Sequence, residues 1–147
     1  MKTVGDAVMA SFDSPASAVS AMVRGLKSLR QYNAETVERQ RNDGIVDKKL
    51  DATVHIRVGI HAGTAAVVPL NGINDYFGQT VNTAARIEGK CQKDELLVTE
   101  AIFDDADAAE TIAELKREGV IDVVEEPLVL ELKGVEHPVK AYRLQIM

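Results

Sequence analysis

Apolar residues recur along this chain with two different periods, and the switches between them mark its elements. Met1 to Val4 and Ala7 to Phe12 are short apolar runs flanking Gly5-Asp6, a turn pair, so a β-hairpin opens the chain. Ser14-Pro15 follows as an N-cap with proline at the first helical position. Val19, Met22, Val23, Leu26 and Leu29 then recur at helical spacing, which predicts an amphipathic helix from Pro15 to about Asn33 with Lys27 and Arg30 outward. From Ala34 to Asp51 the pattern becomes charged and weakly periodic, with Asn42-Asp43-Gly44 as a stop, and reads as a helical extension giving way to a loop.

The period then changes to two. Between Thr53 and Ile60, Val54, Ile56, Val58 and Ile60 share one face of a predicted strand, and His55, Arg57, Gly59 and His61 the other. That second face is too polar for a core, so it is either wet or part of a site. Thr64 to Leu70 is a further apolar strand, broken by Pro69 and an Asn71-Gly72 turn. Glu95 to Val98 reads as a short strand and Thr99 as the cap of another helix, followed by a helix over Ala109 to Arg117 that Gly119 closes. Leu128 to Leu132 and Val139 to Leu144 form a final strand pair. Helices and hairpins in this alternation indicate an α+β fold, one sheet with helices on one face, in a single domain over residues 1–147.

Asn74 to Glu88 bears most directly on function. An aromatic pair, Tyr76-Phe77, and a glycine turn lead into a short helix that projects Asn82 and Arg86 from one face, because residues four apart are helical neighbours. An amide beside a guanidinium can hold a ribose oxygen and a developing phosphoryl charge. The same two residues also fit the solvated face of a helix whose Val81, Ala84, Ala85 and Ile87 pack inward.

Composition narrows the chemistry. The chain has 147 residues, a net charge of -6 and a pI near 5.1, so no broad basic field draws in nucleic acid. A single cysteine, Cys91, forms no internal disulfide and suits a reducing, cytoplasmic compartment. No apolar run approaches the roughly 20 residues that span a bilayer, so no direct membrane contact is expected. A phosphate loop, a Gly-x-Ser-x-Gly elbow and a Cys-x-x-Cys pair are all missing from the sequence. His55 and His61 share a strand face, but two histidines without a third ligand nearby make a weak zinc signature.

Four stretches, in order, resemble the class III nucleotidyl cyclase catalytic domain, the family of adenylate and guanylate cyclases. They are Lys-Thr-Val-Gly-Asp-Ala-Val-Met-Ala (2–10), Arg-Val-Gly-Ile-His-Ala-Gly (57–63), Asp-Tyr-Phe-Gly-Gln-Thr-Val-Asn-Thr-Ala-Ala-Arg-Ile-Glu (75–88) and Leu-Lys-Gly-Val-Glu-His-Pro-Val-Lys-Ala-Tyr-Arg-Leu (132–144). The resemblance implies a ferredoxin-like sandwich with a mostly antiparallel sheet. It also implies attack of a ribose 3′ hydroxyl on the α-phosphate of a nucleoside triphosphate, served by two Mg²⁺ or Mn²⁺ ions. By the same resemblance Asp6 matches one metal aspartate, Lys2 and Asp75 the pair that reads the base, Asn82 and Arg86 the ribose-orienting and transition-state residues, and Lys133 a triphosphate contact. A lysine donor beside a carboxylate acceptor complements adenine, which implies ATP. The family's Phe-x-Asp motif, with the other metal aspartate, its first strand and its first helices have no counterpart in the sequence, so the two-ion site is expected to be incomplete. Family sites form between two catalytic domains, so a homodimer or a partner supplying the missing strand is expected. Read alone, each residue has a plainer role: a turn aspartate at Asp6, a terminal lysine at Lys2, an Asx-turn at Asp75 and a surface lysine at Lys133.

Overall fold

The computed structural model describes residues 2–4, 6–44 and 52–147, with the side chains of 2–4, 73 and 74 outside that description. Its centre is a sheet in which β3 (Val58–Ile60), β6 (Leu96–Thr99), β9 (Val139–Ile146) and β7 (Ile121–Val123) lie in that order, with β8 (Leu128–Leu130) also paired to β9. Among the described strands of this sheet only the β3–β6 pair is parallel. Two hairpins form sheets of their own: β1 (Lys2–Val4) with β2 (Ala7–Met9), and β4 (Ala66–Leu70) with β5 (Ile73–Phe77).

Every residue of β6 is buried, because both faces of the strand are covered. Leu96 and Val98 pair with Leu144 and Tyr142 and look toward α1 (Pro15–Asn42), α3 (Glu100–Phe103) and α4 (Ala106–Arg117), where Val19, Val23, Leu26, Ile102 and Ile112 complete the larger core. Leu97 and Thr99 pair with Arg143 and Ala141 on the opposite face. There Leu97 and Ala141 pack with Ile87 of α2 (Gln79–Glu88), Cys91 and Leu132. The α+β class therefore holds, with α2 packed on the face opposite α1, α3 and α4. Glycine makes this possible, since a Cβ on Gly59 would stand 2.5 Å from the Glu88 backbone nitrogen and 2.9 Å from the Ala84 carbonyl oxygen.

Several element boundaries differ from the sequence pattern, each for a local reason. The first helix continues to Asn42 rather than stopping near Asn33, because Asn33 points sideways: its side chain donates to the Val54 carbonyl at 2.7 Å and accepts from the Val54 amide at 2.9 Å. The loop expected up to Asp51 lies partly outside the described residues. The strand expected over Thr53 to Ile60 shrinks to β3, with Val54 and Ile56 exposed. In that segment the backbone amides of Val54 and Ile56 donate to side chains, to Asn33 at 2.9 Å and to the Asp94 carboxylate at 3.2 Å. Strands β5 and β7 and the first turn of α4, capped by Asp105, were not legible from the pattern.

Candidate functional site

Helix α2 begins directly after β5, with Gly78 at φ 121° as its N-cap. Within it Thr83 and Ile87 are buried, Val81 and Ala84 are half-buried and Ala85 is exposed, so the inward set is narrower than the sequence implied. Asn82 is exposed and Arg86, one turn later, half-buried. Neither has an ion-pair partner among the described residues.

The turn between β8 and β9 meets this helix. Leu132 is buried in the same cluster as Ile87, so the residues that follow each of these anchors, Lys133, and that precede it, Arg86, emerge at the same rim of the core. Gly134 turns the chain at φ 78°, and a Cβ built there would lie 3.7 Å from Arg86 Nη2. The guanidinium therefore rests against the Lys133-Gly134 turn. The segment from Glu131 to Pro138 itself lines an open depression of about 450 Å³. Among the described residues neither Arg86 nor Lys133 has an ion-pair partner, and the turn that carries Lys133 also carries the carboxylates Glu131 and Glu136.

Asp75 sits on β5 opposite Val68, half-buried, its Oδ1 accepting from the Tyr76 amide at 2.9 Å. It reaches the helix through only Tyr76, Phe77 and Gly78. Lys2 lies in β1, and Asp6 is exposed in the turn of the two-stranded β1–β2 sheet. That hairpin shares no hydrogen bond or ion pair with α2 among the described residues. Arg86 thus lies beside Gly134, the residue after Lys133, while Asn82 shares its helix and Asp75 is tied to that helix by the chain.

The polar face of β3 turns out to be a scaffold. His55 Nδ1 pairs with Asp94 Oδ2 at 2.6 Å, and Arg57 with Glu88 at 2.9 Å, fastening the approach to β3 onto the α2 side of the sheet. His61 Nδ1 lies 2.7 Å from Thr99 Oγ1, so that hydroxyl is taken up and does not cap α3. Burial lowers the His61 pKa below its ordinary 6.5. Burial pushes the Cys91 thiol up to about 11, and the thiol donates to the Val58 carbonyl. Among the described residues no group of three or more His, Cys, Asp or Glu side chains is placed to hold a metal ion. Among the described residues Asp6 therefore belongs to no such group.

Sequence reasoning overlooked Thr80, whose hydroxyl donates to the Thr64 carbonyl, and Gly59. A glycine interrupting an alternating strand signals close approach of another backbone, and Gly59 was findable on that ground. Thr80 carried no such signal.

This mixed sheet, with α2 on one face and α1, α3 and α4 on the other, is the architecture of a nucleotidyl cyclase catalytic domain. The model of the adenylate and guanylate cyclase catalytic domain matches residues 1–144, and the chain belongs to that family. Among curated proteins it is similar to the receptor-type adenylate cyclases GRESAG 4.2 and GRESAG 4.1 of Trypanosoma brucei brucei. Identities are 32% and 28%, each over 98% of this chain. The chain spans 28% and 13% of the length of those two relatives. Among solved structures, an adenylate cyclase from Trypanosoma brucei described in its monomeric state superposes with a TM-score of 0.66 at 26% identity. That match covers 97% of this chain and 69% of the other. Among the described residues no helix is long and apolar enough to cross a membrane.

Proposed function

We propose that residues 1–147 form one part of an adenylate-type cyclase catalytic domain, converting ATP to cyclic AMP and pyrophosphate at a site shared between two catalytic domains, on the cytoplasmic side. The observation that carries this reading is the nearness of the Arg86 guanidinium to Gly134, next to Lys133 and one helical turn from Asn82, in a chain of this family. In the reaction the ribose 3′ oxygen bonds to the α-phosphorus, the bond to the β-phosphate bridging oxygen breaks, and pyrophosphate leaves. Asn82 holds the ribose so that the 3′ oxygen faces the phosphorus. Arg86 faces the charge that grows on the α-phosphate oxygens, and Lys133 holds the leaving polyphosphate. Fixed donors aimed at developing charge carry about 3–4 kcal/mol each, so Arg86→Ala should cost roughly 10²–10³-fold in turnover wherever turnover is measured. Lys2 and Asp75 supply the donor and acceptor that adenine matches and guanine does not.

Divalent ions would supply activation of the attacking oxygen in this chemistry. Asp6 alone does not hold two of them, so turnover requires a second carboxylate from outside residues 1–147, and these residues by themselves are inactive. Cyclic AMP formation from ATP with Mn²⁺ tests this: robust turnover by the isolated chain would refute the claimed inactivity. The lone carboxylate at Asp6 also favours a second reading, a non-catalytic nucleotide-binding or dimerising module derived from a cyclase domain. Calorimetric titration with a non-hydrolysable ATP analogue separates nucleotide binding from bare self-association. Binding that disappears in Asp75→Ala and Arg86→Ala supports the retained site, whereas tight self-association without binding supports a module that only dimerises.

A further inference from the structure

The β4–β5 hairpin is fastened to the body in an unusual way. All five residues of β4 are exposed, and the strand pairs with β5 alone. The hairpin has no sheet neighbour to fix its direction, yet β5 runs directly into α2. Its base is closed by Thr80, in the first turn of α2, which donates its hydroxyl to the carbonyl of Thr64, just before β4. Gly63 packs against the same side chain so closely that a Cβ there would stand 2.6 Å from Thr80 Oγ1. One residue further back, His61 is held to Thr99 of β6, so the loop that receives Thr80 is itself anchored to the sheet. The N-cap of α2 is Gly78, which offers no side-chain bond, so no capping side chain sets the first turn.

We infer that Thr80 is a positioning residue, whose bond to the Thr64 carbonyl sets the first turn of α2 and thereby the direction in which Asn82 and Arg86 face the nucleotide. Asn82 lies two residues beyond Thr80 in the same turn, and a tilt there moves its amide first and the Arg86 guanidinium next. The inference rests on the nucleotide site proposed above, and it adds that the β4–β5 hairpin and α2 move as one piece about this joint.

The test compares Thr80→Val, which keeps the shape and removes the donor, with Thr80→Ser, which keeps the donor. Affinity for a fluorescent ATP analogue is measured alongside amide hydrogen exchange of residues 79–88. Loss of one directed hydrogen bond should weaken the analogue roughly tenfold in Thr80→Val and leave Thr80→Ser within about twofold of the parent. First-turn amides of α2 should exchange faster in Thr80→Val while core amides of β6 do not change. Gly63→Ala should weaken binding as well, and in a Thr80→Val background it should add less than it does alone, since both act on one joint. Equal affinity of Thr80→Val and the parent overturns the inference, as does equal weakening by serine and valine. If the parent chain binds no analogue, the nucleotide reading falls. The joint is then judged by exchange alone, and unchanged protection of the α2 first turn in Thr80→Val overturns it too.

Discussion

A methyl group added at Gly59 strikes three backbone atoms of α2. Its Cβ would lie 2.5 Å from the Glu88 nitrogen, 2.9 Å from the Ala84 oxygen and 2.9 Å from the Glu88 Cα. Ordinary carbon contacts need about 3.5–4.0 Å, so the helix must move outward by about 1 Å or the strand must bend. No rotamer change relieves the clash, because none of these atoms belongs to a flexible side chain. Overpacking of this kind costs about 1–3 kcal/mol, and Gly59→Ala belongs at the upper end, near 3 kcal/mol. For a chain of this size that lowers the melting temperature by roughly 6–12 °C. Gly25→Ala is the matched control, since no heavy atom lies within 4 Å of that Cβ on the exposed side of α1. There the methyl removes backbone freedom from the unfolded chain and should stabilise by about 0.5–1 kcal/mol. Chemical denaturation of both variants reads the contrast directly. The packing argument is wrong if Gly59→Ala is as stable as the parent or shifts in the same direction as Gly25→Ala. Because Arg86 rides on the displaced helix, the same variant should also lose nucleotide affinity while remaining folded.

Asp94→Ala should destabilise by about 2 kcal/mol in denaturant unfolding, because it removes the bonds to His55 and Ile56 and places alanine at φ 58°; Asp94→Asn, which tolerates that backbone, should lose much less. The lowered His61 pKa means that the unfolded chain binds the extra proton first as pH falls below 6.5. The stability contributed by neutral His61 is therefore fully present above that pH and is lost as pH falls below it, and a melting series from pH 8 to 5 should lose part of its slope in His61→Gln. Cys91, with its thiol raised to about 11, should resist thiol reagents at neutral pH and react only as fast as the domain opens, so labelling faster than global unfolding would contradict its place in the core.

What the sequence carried and what it hid have separate physical causes. Helical periodicity in α1 and α4 and the Asn71-Gly72 turn were legible because each is written in neighbouring residues, and Asn71 and Gly72 do adopt φ 52° and 76°. The end of α1 was not, because Asn33 is spent on Val54, a partner 21 residues away. The shortening of β3 has the same origin, with Asp94 supplying bonds that a neighbouring strand would otherwise supply. The placement of α2 against the opposite face depends on Leu97 and Ile87 meeting across the sheet, a contact no local pattern encodes, although Gly59 hinted at it. In the candidate site, helical spacing alone placed Asn82 beside Arg86. That Arg86 meets the turn at Lys133 follows only from Ile87 and Leu132 sharing one core.

Amide chemical-shift mapping with a non-hydrolysable ATP analogue tests the central claim most directly. The account predicts that the largest shifts fall together on α2 from residue 79 to 88 and on the turn from 131 to 138, and that they vanish in Arg86→Ala. Shifts confined to other surfaces, or shifts on α2 without any on that turn, would contradict it.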